Sequence, residues 1–483
     1  MEKGLKGGRY KPLSRDEIGR IHENSLRILD EVGVQVELPA ALEIFSRSGA
    51  KVDKQNCRVR IPPKTVEKYI RFAPSEIMLC GRDEKNNLHL ENSRTYMGTG
   101  GAAVRVIDLY TGEIRKGNLS DIACMAKLVE GLNNVHFFIR PCLAQDIPQH
   151  CLGINEFYAA LSGTKKHVMG AGYTVEGAKQ IMEMAAMMCG GMDELRKSPL
   201  ISFITGWMRS PLSFDSKTTE VLMEVVKESI PVALASSPMA GSTSPLTMAG
   251  TLCQLHAEEI SGIVFTQLLN PGAPVLYGGV PGMADMKDLS FKAGGVEFGL
   301  MNAAISQLAN YIGIPNYCSA GITEAKIPSL QAIYEKTFSV CQCALAGSNY
   351  VHHAAGVLES ILTVGYGQFV IDNEIIGMAM KMVMGIEIDE DRIAFEEIKK
   401  VGPGGNFLSS RHTRRYMRSE FLEPMLVPRH ERTAPEIMQD HKHLDILLRA
   451  RVKAKDIIEG SQGNEIPPSI DRKLRERFNI MVP

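Results

Sequence analysis

Between residues 95 and 384 the apolar positions alternate between two rhythms. Short, nearly continuous apolar runs at 95–101, 135–143, 167–173, 200–207, 231–238, 274–279, 315–321 and 348–354 predict strands. Longer stretches with apolar residues three and four apart predict helices at 121–132, 154–161, 175–189, 218–228, 248–269, 298–311, 330–345 and 369–384. Strands that are apolar throughout, rather than alternating, belong in a parallel sheet covered by helices. Eight strand–helix units in unbroken succession predict an α/β fold of TIM type, a closed (β/α)8 barrel rather than an open doubly wound sheet. Between the first strand and its helix, Val104 to Leu109, a turn at Tyr110-Thr111-Gly112 and Glu113-Ile114-Arg115 read as a hairpin.

The flanks read differently. Residues 14–32 predict a helix opened by Ser14 and Asp16, with Ile18, Ile21, Leu26, Ile28 and Leu29 on one face. A second helix is expected at 38–48, then short strands at 58–62, 77–80 and 88–90, so residues 1–94 form an N-terminal α/β extension. The Gly402-Pro403-Gly404-Gly405 break ends the barrel, taken as residues 95–400. A C-terminal helical extension follows over 401–483, with helices expected at 414–422 and 434–460.

Composition narrows the class. The chain has 483 residues, 44% hydrophobic and 23% charged, enough for a large core. With 54 basic and 55 acidic residues it carries no electrostatic footprint for nucleic acid or an anionic membrane. The N-terminus has no apolar signal core, and no stretch approaches the ~20 apolar residues of a membrane span. A cytoplasmic protein is expected. The ten cysteines contain no CxxC pair, which points to reduced core thiols.

In a barrel of this kind the chemistry sits at the C-terminal ends of the strands. Aromatics make up 6% of the chain, yet Tyr96, Tyr173, Trp207, Tyr277 and Tyr317 end or nearly end five of the eight predicted strands. A cage of rings suits a quaternary ammonium, which has no N–H to donate and is drawn to ring faces. Packing at the barrel end accounts for such residues equally well, so two or three of the five are expected in a cage and the rest in the core. His352 and His353 are adjacent; in a regular strand one faces the interior and the other the helix layer. No HExxH or cysteine cluster accompanies them, and no metal site is expected. Glu258, Glu297, Glu324 and Glu359 are further candidates, Glu258 and Glu297 because they interrupt apolar sequence. Neither GxGxxG, GxxxxGK[ST] nor GxSxG occurs at the glycine-rich turns.

Several longer motifs carry a resemblance. They include Leu26-Arg27-Ile28-Leu29-Asp30-Glu31-Val32-Gly33, Met97-Gly98-Thr99-Gly100-Gly101-Ala102 and Asp108-Leu109-Tyr110-Thr111-Gly112. The most specific is Ser236-Ser237-Pro238-Met239-Ala240-Gly241-Ser242-Thr243-Ser244-Pro245-Leu246-Thr247. Glu297-Phe298-Gly299-Leu300-Met301-Asn302-Ala303-Ala304, His352-His353-Ala354-Ala355-Gly356 and Gly402-Pro403-Gly404-Gly405-Asn406-Phe407-Leu408 complete the set. Through these the chain resembles the trimethylamine methyltransferase family.

The resemblance implies a barrel that presents a methylated amine to the cobalt(I) corrinoid, of cobalamin type, carried by a partner corrinoid protein. The nucleophile is then the partner's cobalt, and no side chain of this chain is a catalytic nucleophile. The founding members contain pyrrolysine, whereas this chain has only standard residues, which favours a quaternary substrate such as glycine betaine, proline betaine or carnitine. A betaine carboxylate needs an anchor, for which Arg140, His352 and His353 are the candidates. No tightly bound cofactor is expected, and a homo-oligomer is. A barrel lyase or decarboxylase with an internal base, and a quaternary-amine-binding barrel without catalysis, are the competing readings.

Overall fold

The structure is a computed structural model and describes residues 4–426, 446–461 and 465–482. Eight strands form its centre: β1 (Arg94–Thr99), β2 (Phe137–Ile139), β3 (His167–Gly170), β4 (Ile201–Thr205), β5 (Val232–Ser236), β6 (Val275–Gly279), β7 (Asn316–Ser319) and β8 (Tyr350–Ala355). After each comes a helix: α1 (Leu119–Glu130), α2 (Leu152–Gly163), α3 (Val175–Cys189), α4 (Ser216–Lys227), α5 (Met248–Leu269), α6 (Val296–Tyr311), α7 (Leu330–Ala346) and α8 (Tyr366–Met384). Two of these match the sequence expectation to the residue because their ends are chemically marked. Thr174 and Thr247 cap α3 and α5 by accepting from the N–H of Gly177 and Gly250, and Gly190 closes α3 in the left-handed conformation.

The strands lie in one curled nine-stranded sheet, in the order β1, β8, β7, β6, β5, β4, β3, β2, with Leu5–Lys6 pairing antiparallel on the outer edge of β1. All pairs among β1 to β8 are parallel. The two ends of this run meet: His136 N–H donates to Met97 O at 2.7 Å, Ile139 N–H to Thr99 Oγ1 at 2.8 Å, and Ala103 bridges Cys142 in parallel.

Alternation along each strand divides the core in two. Met97, Phe138, Val168, Phe203, Leu234, Tyr277, Cys318 and Val351 join the large cluster shared with the helices. Tyr96, Phe137, Ile139, Met169, Ala233, Leu276, Tyr317 and Tyr350 belong to a second cluster inside the curl. Its N-terminal end is plugged by the antiparallel hairpin Glu76–Leu79 and Leu88–Glu91, which contributes Ile77, Leu79, Leu88 and Leu90. Backbone bonds from Cys80 N–H to Pro199 O and from Arg82 N–H to Lys165 O fix the plug just ahead of β4 and β3. The mouth is therefore the C-terminal end.

Strands Val357–Leu358, Thr363–Gly365, Arg105–Ile107 and Ile114–Lys116 form a four-stranded sheet beside that mouth, and the last two are the predicted hairpin. The N-terminal helix Arg15–Arg27 starts at a capping box of Ser14 and Glu17 and packs on α5. After α8 come helices Glu390–Ile393, Phe395–Val401 and Arg411–Tyr416, none with a buried residue. Part of the helix expected at 434–460 lies outside the described residues; Ile446–Glu459 is helical and packs on α8. Among the described residues no helix is long and apolar enough to cross a membrane.

Candidate functional site

Along β8 the regular alternation fails after Val351, where the register against β1 shifts. His353 takes a φ of +63°, so its ring turns to the same side as that of His352, and the two centroids lie 3.6 Å apart. The expectation that adjacent histidines face opposite ways is thereby corrected, because it assumes an extended backbone at both positions. His352 stacks on Tyr317 at 4.3 Å, Tyr317 lies 5.8 Å from Tyr350, and Tyr350 stacks on Phe137 at 3.6 Å. Five rings thus form one column inside the curl.

The column is uncharged. Burial lowers His352 to about 3 and, with the neighbouring His352 and Lys336 pushing the same way, holds His353 well below the ordinary histidine range. Burial holds the phenols of Tyr317 and Tyr350 well above the ordinary tyrosine range. Neither phenol oxygen has a hydrogen-bond partner among the described residues. His352 Nδ1 lies 2.8 Å from Cys318 O, so it carries the proton and Nε2 is left as an acceptor. His353 Nδ1 lies 2.8 Å from Ser319 Oγ.

The glycine pair after β1 makes room for this packing. A Cβ on Gly100 would lie 3.0 Å from His352 Cδ2 and 3.1 Å from His353 Cδ2. On Gly101, whose φ is +130°, it would lie 3.1 Å from Ile361 Cγ2. Arg140 approaches the same edge and donates from Nη1 to Gly101 O at 3.3 Å. Its Nε is 2.8 Å from Glu156 Oε2, with only 12% and 4% of the two side chains exposed. Tyr173 also donates to Glu156 Oε2, at 2.8 Å, and its ring lies under the Arg140 guanidinium at 5.7 Å. Burial raises Glu156 against the pull of Arg140; burial also works against the Arg140 charge, but Glu156 and Tyr173 together outweigh it and raise Arg140.

A second group is acidic and gathers on Gly294-Gly295, ahead of α6. A Cβ on Gly294 would lie 2.6 Å from Glu335 Oε2 and 3.1 Å from Glu324 Cγ; one on Gly295 would lie 2.8 Å from Glu297 Oε2. Glu297 is exposed and Glu324 half-buried, with its Oε1 lacking a partner among the described residues. Beneath the loops after β7 and β8, the fully buried Lys336 and Asp372 pair at 3.2 Å. Lys336 donates to the carbonyls of Gly321 and Val357, and Asp372 accepts from Gly356 N–H, which ties both loops down.

Of the sequence candidates, Tyr317, His352 and His353 share the ring column, Arg140 and Tyr173 gather on Glu156 beside Gly101, and Glu297 and Glu324 lie against Gly295 and Gly294. Tyr96, Trp207, Tyr277 and Glu258 do not join them. Tyr96 lies near the start of β1 rather than its end, and its hydroxyl accepts from His89 N–H on the plug. Trp207 points into the helix layer, edge-on to Phe214 at 4.6 Å and against Gly262 of α5. Tyr277 also points outward; its hydroxyl lies 2.9 Å from Nδ1 of His256, whose Nε2 lies 2.9 Å from His22 Nδ1. Glu258 is buried on α5, bound by Ser236, Ser210 Oγ at 2.8 Å and Leu212 N–H at 3.0 Å, and serves the loop after β4. The only grouping with metal-ligand spacing among the described residues is Glu76, His89 and Glu91 on the plug, where Glu91 already pairs with Arg94 and Lys6.

Sequence reasoning missed Tyr350, Phe137 and Glu156. Tyr350 was open to inference because it shares a face with His352 two residues on. Glu156 stands in an apolar helix, the same signal that singled out Glu258. Phe137 carried none.

A family model described as trimethylamine methyltransferase (MTTB) matches residues 4–479. The chain is 34% identical over 479 residues to a glycine betaine methyltransferase of Desulfitobacterium hafniense (strain Y51), covering 98% of this chain and 97% of that one. It is 36% identical over 466 residues to a trimethylamine methyltransferase MttB of Desulfitobacterium hafniense (strain DSM 10664 / DCB-2), covering 96% and 92%. Among solved structures, the Methanosarcina barkeri monomethylamine methyltransferase (MtmB) superposes with a TM-score of 0.50 at 14% identity, over 93% of this chain and 89% of that one. At that identity the likeness concerns the fold alone.

Proposed function

Because the chain belongs to the trimethylamine methyltransferase family, we propose that it moves a methyl group from a betaine-type quaternary amine to the reduced corrinoid of a partner protein. The observation that carries this reading is the neutral column of rings rising from Phe137 through Tyr350 and Tyr317 to His352 and His353. A quaternary ammonium cannot hydrogen-bond through nitrogen. Ring faces hold it by about 0.5–2 kcal/mol per desolvated contact. Glu297 and Glu324 favour the approach of a cation, and Arg140, shared with Glu156, supplies a counter-charge for a carboxylate.

The methyl acceptor is a second substrate, whose low-valent cobalt supplies the nucleophile when the two proteins meet. For this chain the step is mainly one of placement. The C–N bond breaks with its electron pair left on nitrogen, so a quaternary ammonium departs as a neutral tertiary amine and no proton is needed. Holding the methyl group in line for transfer, away from water, contributes up to about 7–11 kcal/mol of the barrier. No general base is required. The column, with its neutral histidines and protonated phenols, fits that demand.

On this reading the curled sheet is a closed (β/α)8 barrel over residues 95–400, with residues 1–94 and 401–483 as extensions. The protein works in the cytoplasm, and the corrinoid protein docks over the mouth. Self-association is also part of the reading. The segment after α8 exposes Ile386, Ile388, Phe395 and Leu408 and buries none of its short helices, so a second copy is a fitting cover.

The test is calorimetric titration with glycine betaine, proline betaine, carnitine and trimethylamine, followed by a cobalt methylation assay with a reduced corrinoid protein. Saturable binding of one quaternary amine, with turnover only when the corrinoid protein is present, is the expected result. Binding without methyl transfer to any corrinoid acceptor would favour a non-catalytic receptor. No binding by any of the quaternary amines would sink the substrate class.

A further inference from the structure

The hairpin after β8 carries an unusual backbone. Glu359, Ser360 and Ile361 have φ values of +50°, +49° and +78°, three consecutive non-glycine residues in the left-handed region. A β-branched residue there is a true outlier. Such a run persists only where its surroundings over-determine it, and runs of this kind cluster at ligand clamps. Here the pins are explicit. Glu359 N–H donates to Ala325 O and Ser360 N–H to Thr323 O, both at 2.8 Å. The Glu359 carboxylate accepts from Arg105 at 2.7 Å and Thr363 Oγ1 at 2.6 Å. Burial works against the carboxylate charge, but these partners outweigh it and hold Glu359 below its ordinary range.

The strain has a directional product. It turns the half-buried Ile361 inward, onto the inner cluster that contains Tyr317 and Tyr350, while Leu362 stays exposed. Ile361 Cγ2 comes to rest against Gly101, the residue whose carbonyl receives Arg140. The pins on Glu359 and Ser360 reach the loop that bears Glu324. Ile361 therefore stands beside the inner cluster and the Arg140 edge, on a turn pinned to the loop that bears Glu324.

We propose that Ile361 is a specificity-determining residue. Held by the left-handed turn and the Glu359–Arg105 pair, it forms the wall that limits the bulk of the substituent a quaternary amine carries besides its methyl groups. This rests on the quaternary-amine reading of the same site. A branched side chain at φ +78° is strained, whereas glycine occupies that conformation freely.

The experiment compares the wild type with Ile361→Gly and Ile361→Ala by thermal melting and by calorimetric titration with tetramethylammonium, glycine betaine and carnitine. Ile361→Gly, which suits the backbone, is expected to melt no lower than the wild type. Both variants are expected to shift the ratio of affinities toward the bulkier carnitine by tenfold or more. An unchanged ratio in variants that still bind would overturn the specificity role and leave the quaternary-amine reading intact. A markedly lower melting temperature for Ile361→Gly would overturn the strain argument. A wild type that binds none of the three would overturn the reading itself, and this inference with it.

Discussion

His352 and His353 are chain neighbours whose rings sit on the same side of β8, 3.6 Å apart, because the backbone at His353 is left-handed. That arrangement puts two imidazoles, rather than one, at the top of the ring column. It also fixes both as neutral groups, since a proton on either would be buried beside the other.

Stability should therefore fall in acid. Burial lowers His352 to about 3 and His167 to about 4, against the ordinary histidine value of 6.5. Between those values and 6.5 the unfolded chain binds more protons than the folded one. The stability is thus fully present above pH 6.5 and is lost as pH falls below it. Each such histidine contributes a slope of at most about 1.4 kcal/mol per pH unit. Thermal melts from pH 8 to pH 4 should show a plateau above 6.5 and a decline beneath it, shallower in His167→Gln. A flat profile down to pH 4 would mean that these rings are not buried as described.

The unpartnered phenols make a different forecast. Tyr317→Phe and Tyr350→Phe each remove a buried hydroxyl that has no partner among the described residues, so stability should be unchanged or raised by about 1 kcal/mol. Tyr317→Ala opens the column and should cost about 3–5 kcal/mol. If the column binds the cation, quaternary-amine affinity survives in the Phe variants and drops in the Ala variant. Equal loss of affinity in both would assign the role to the hydroxyl instead.

Trp207 and Tyr277 separate packing from binding. Both are fully buried toward the helix layer, Trp207 against Phe214 and Tyr277 against His256. Trp207→Ala should destabilise by about 3–5 kcal/mol, and Tyr277→Phe by about 1 kcal/mol through the lost hydrogen bond. The relative affinities for different quaternary amines should not move in either. A changed preference in Tyr277→Phe would place that ring nearer the ligand than its present contacts allow.

The Arg140–Glu156 pair can be dissected by a double-variant cycle. Arg140→Ala leaves a buried carboxylate without its partner and should cost about 3–5 kcal/mol, while Arg140→Met with Glu156→Leu should recover most of that. On the betaine reading the double variant folds but loses affinity for glycine betaine far more than for tetramethylammonium, which has no carboxylate. Parallel losses for both ligands would remove Arg140 as the anchor.

The order of strands and helices was legible from the chain because local chemistry marks it. Thr174 and Thr247 cap, Gly190 terminates, and apolar periodicity separates strand from helix. The tyrosine and histidines at 317, 352 and 353 were singled out by residue type, whereas nothing in the chain marked the glycine pair at 100 and 101 as the space their packing needs. Which way each side chain points was not. Both faces of β1 to β8 are covered, so both are apolar, and the alternation that distinguishes inside from outside in a half-exposed sheet carries no sign here. Tyr317 and Tyr277 look alike in sequence, yet one lines the interior and the other packs on His256.

The left-handed backbone at His353 and at 359–361 runs against the propensities of the residues that adopt it. The chain by itself determined the order and type of the eight strands and eight helices of the centre, because those follow from local energetics, whereas the ends of most of them shifted by a few residues. Only the tertiary structure decided which rings share the interior and which backbone is strained. Those depend on strand register, bulges and contacts between residues hundreds of positions apart, such as Arg105 with Glu359.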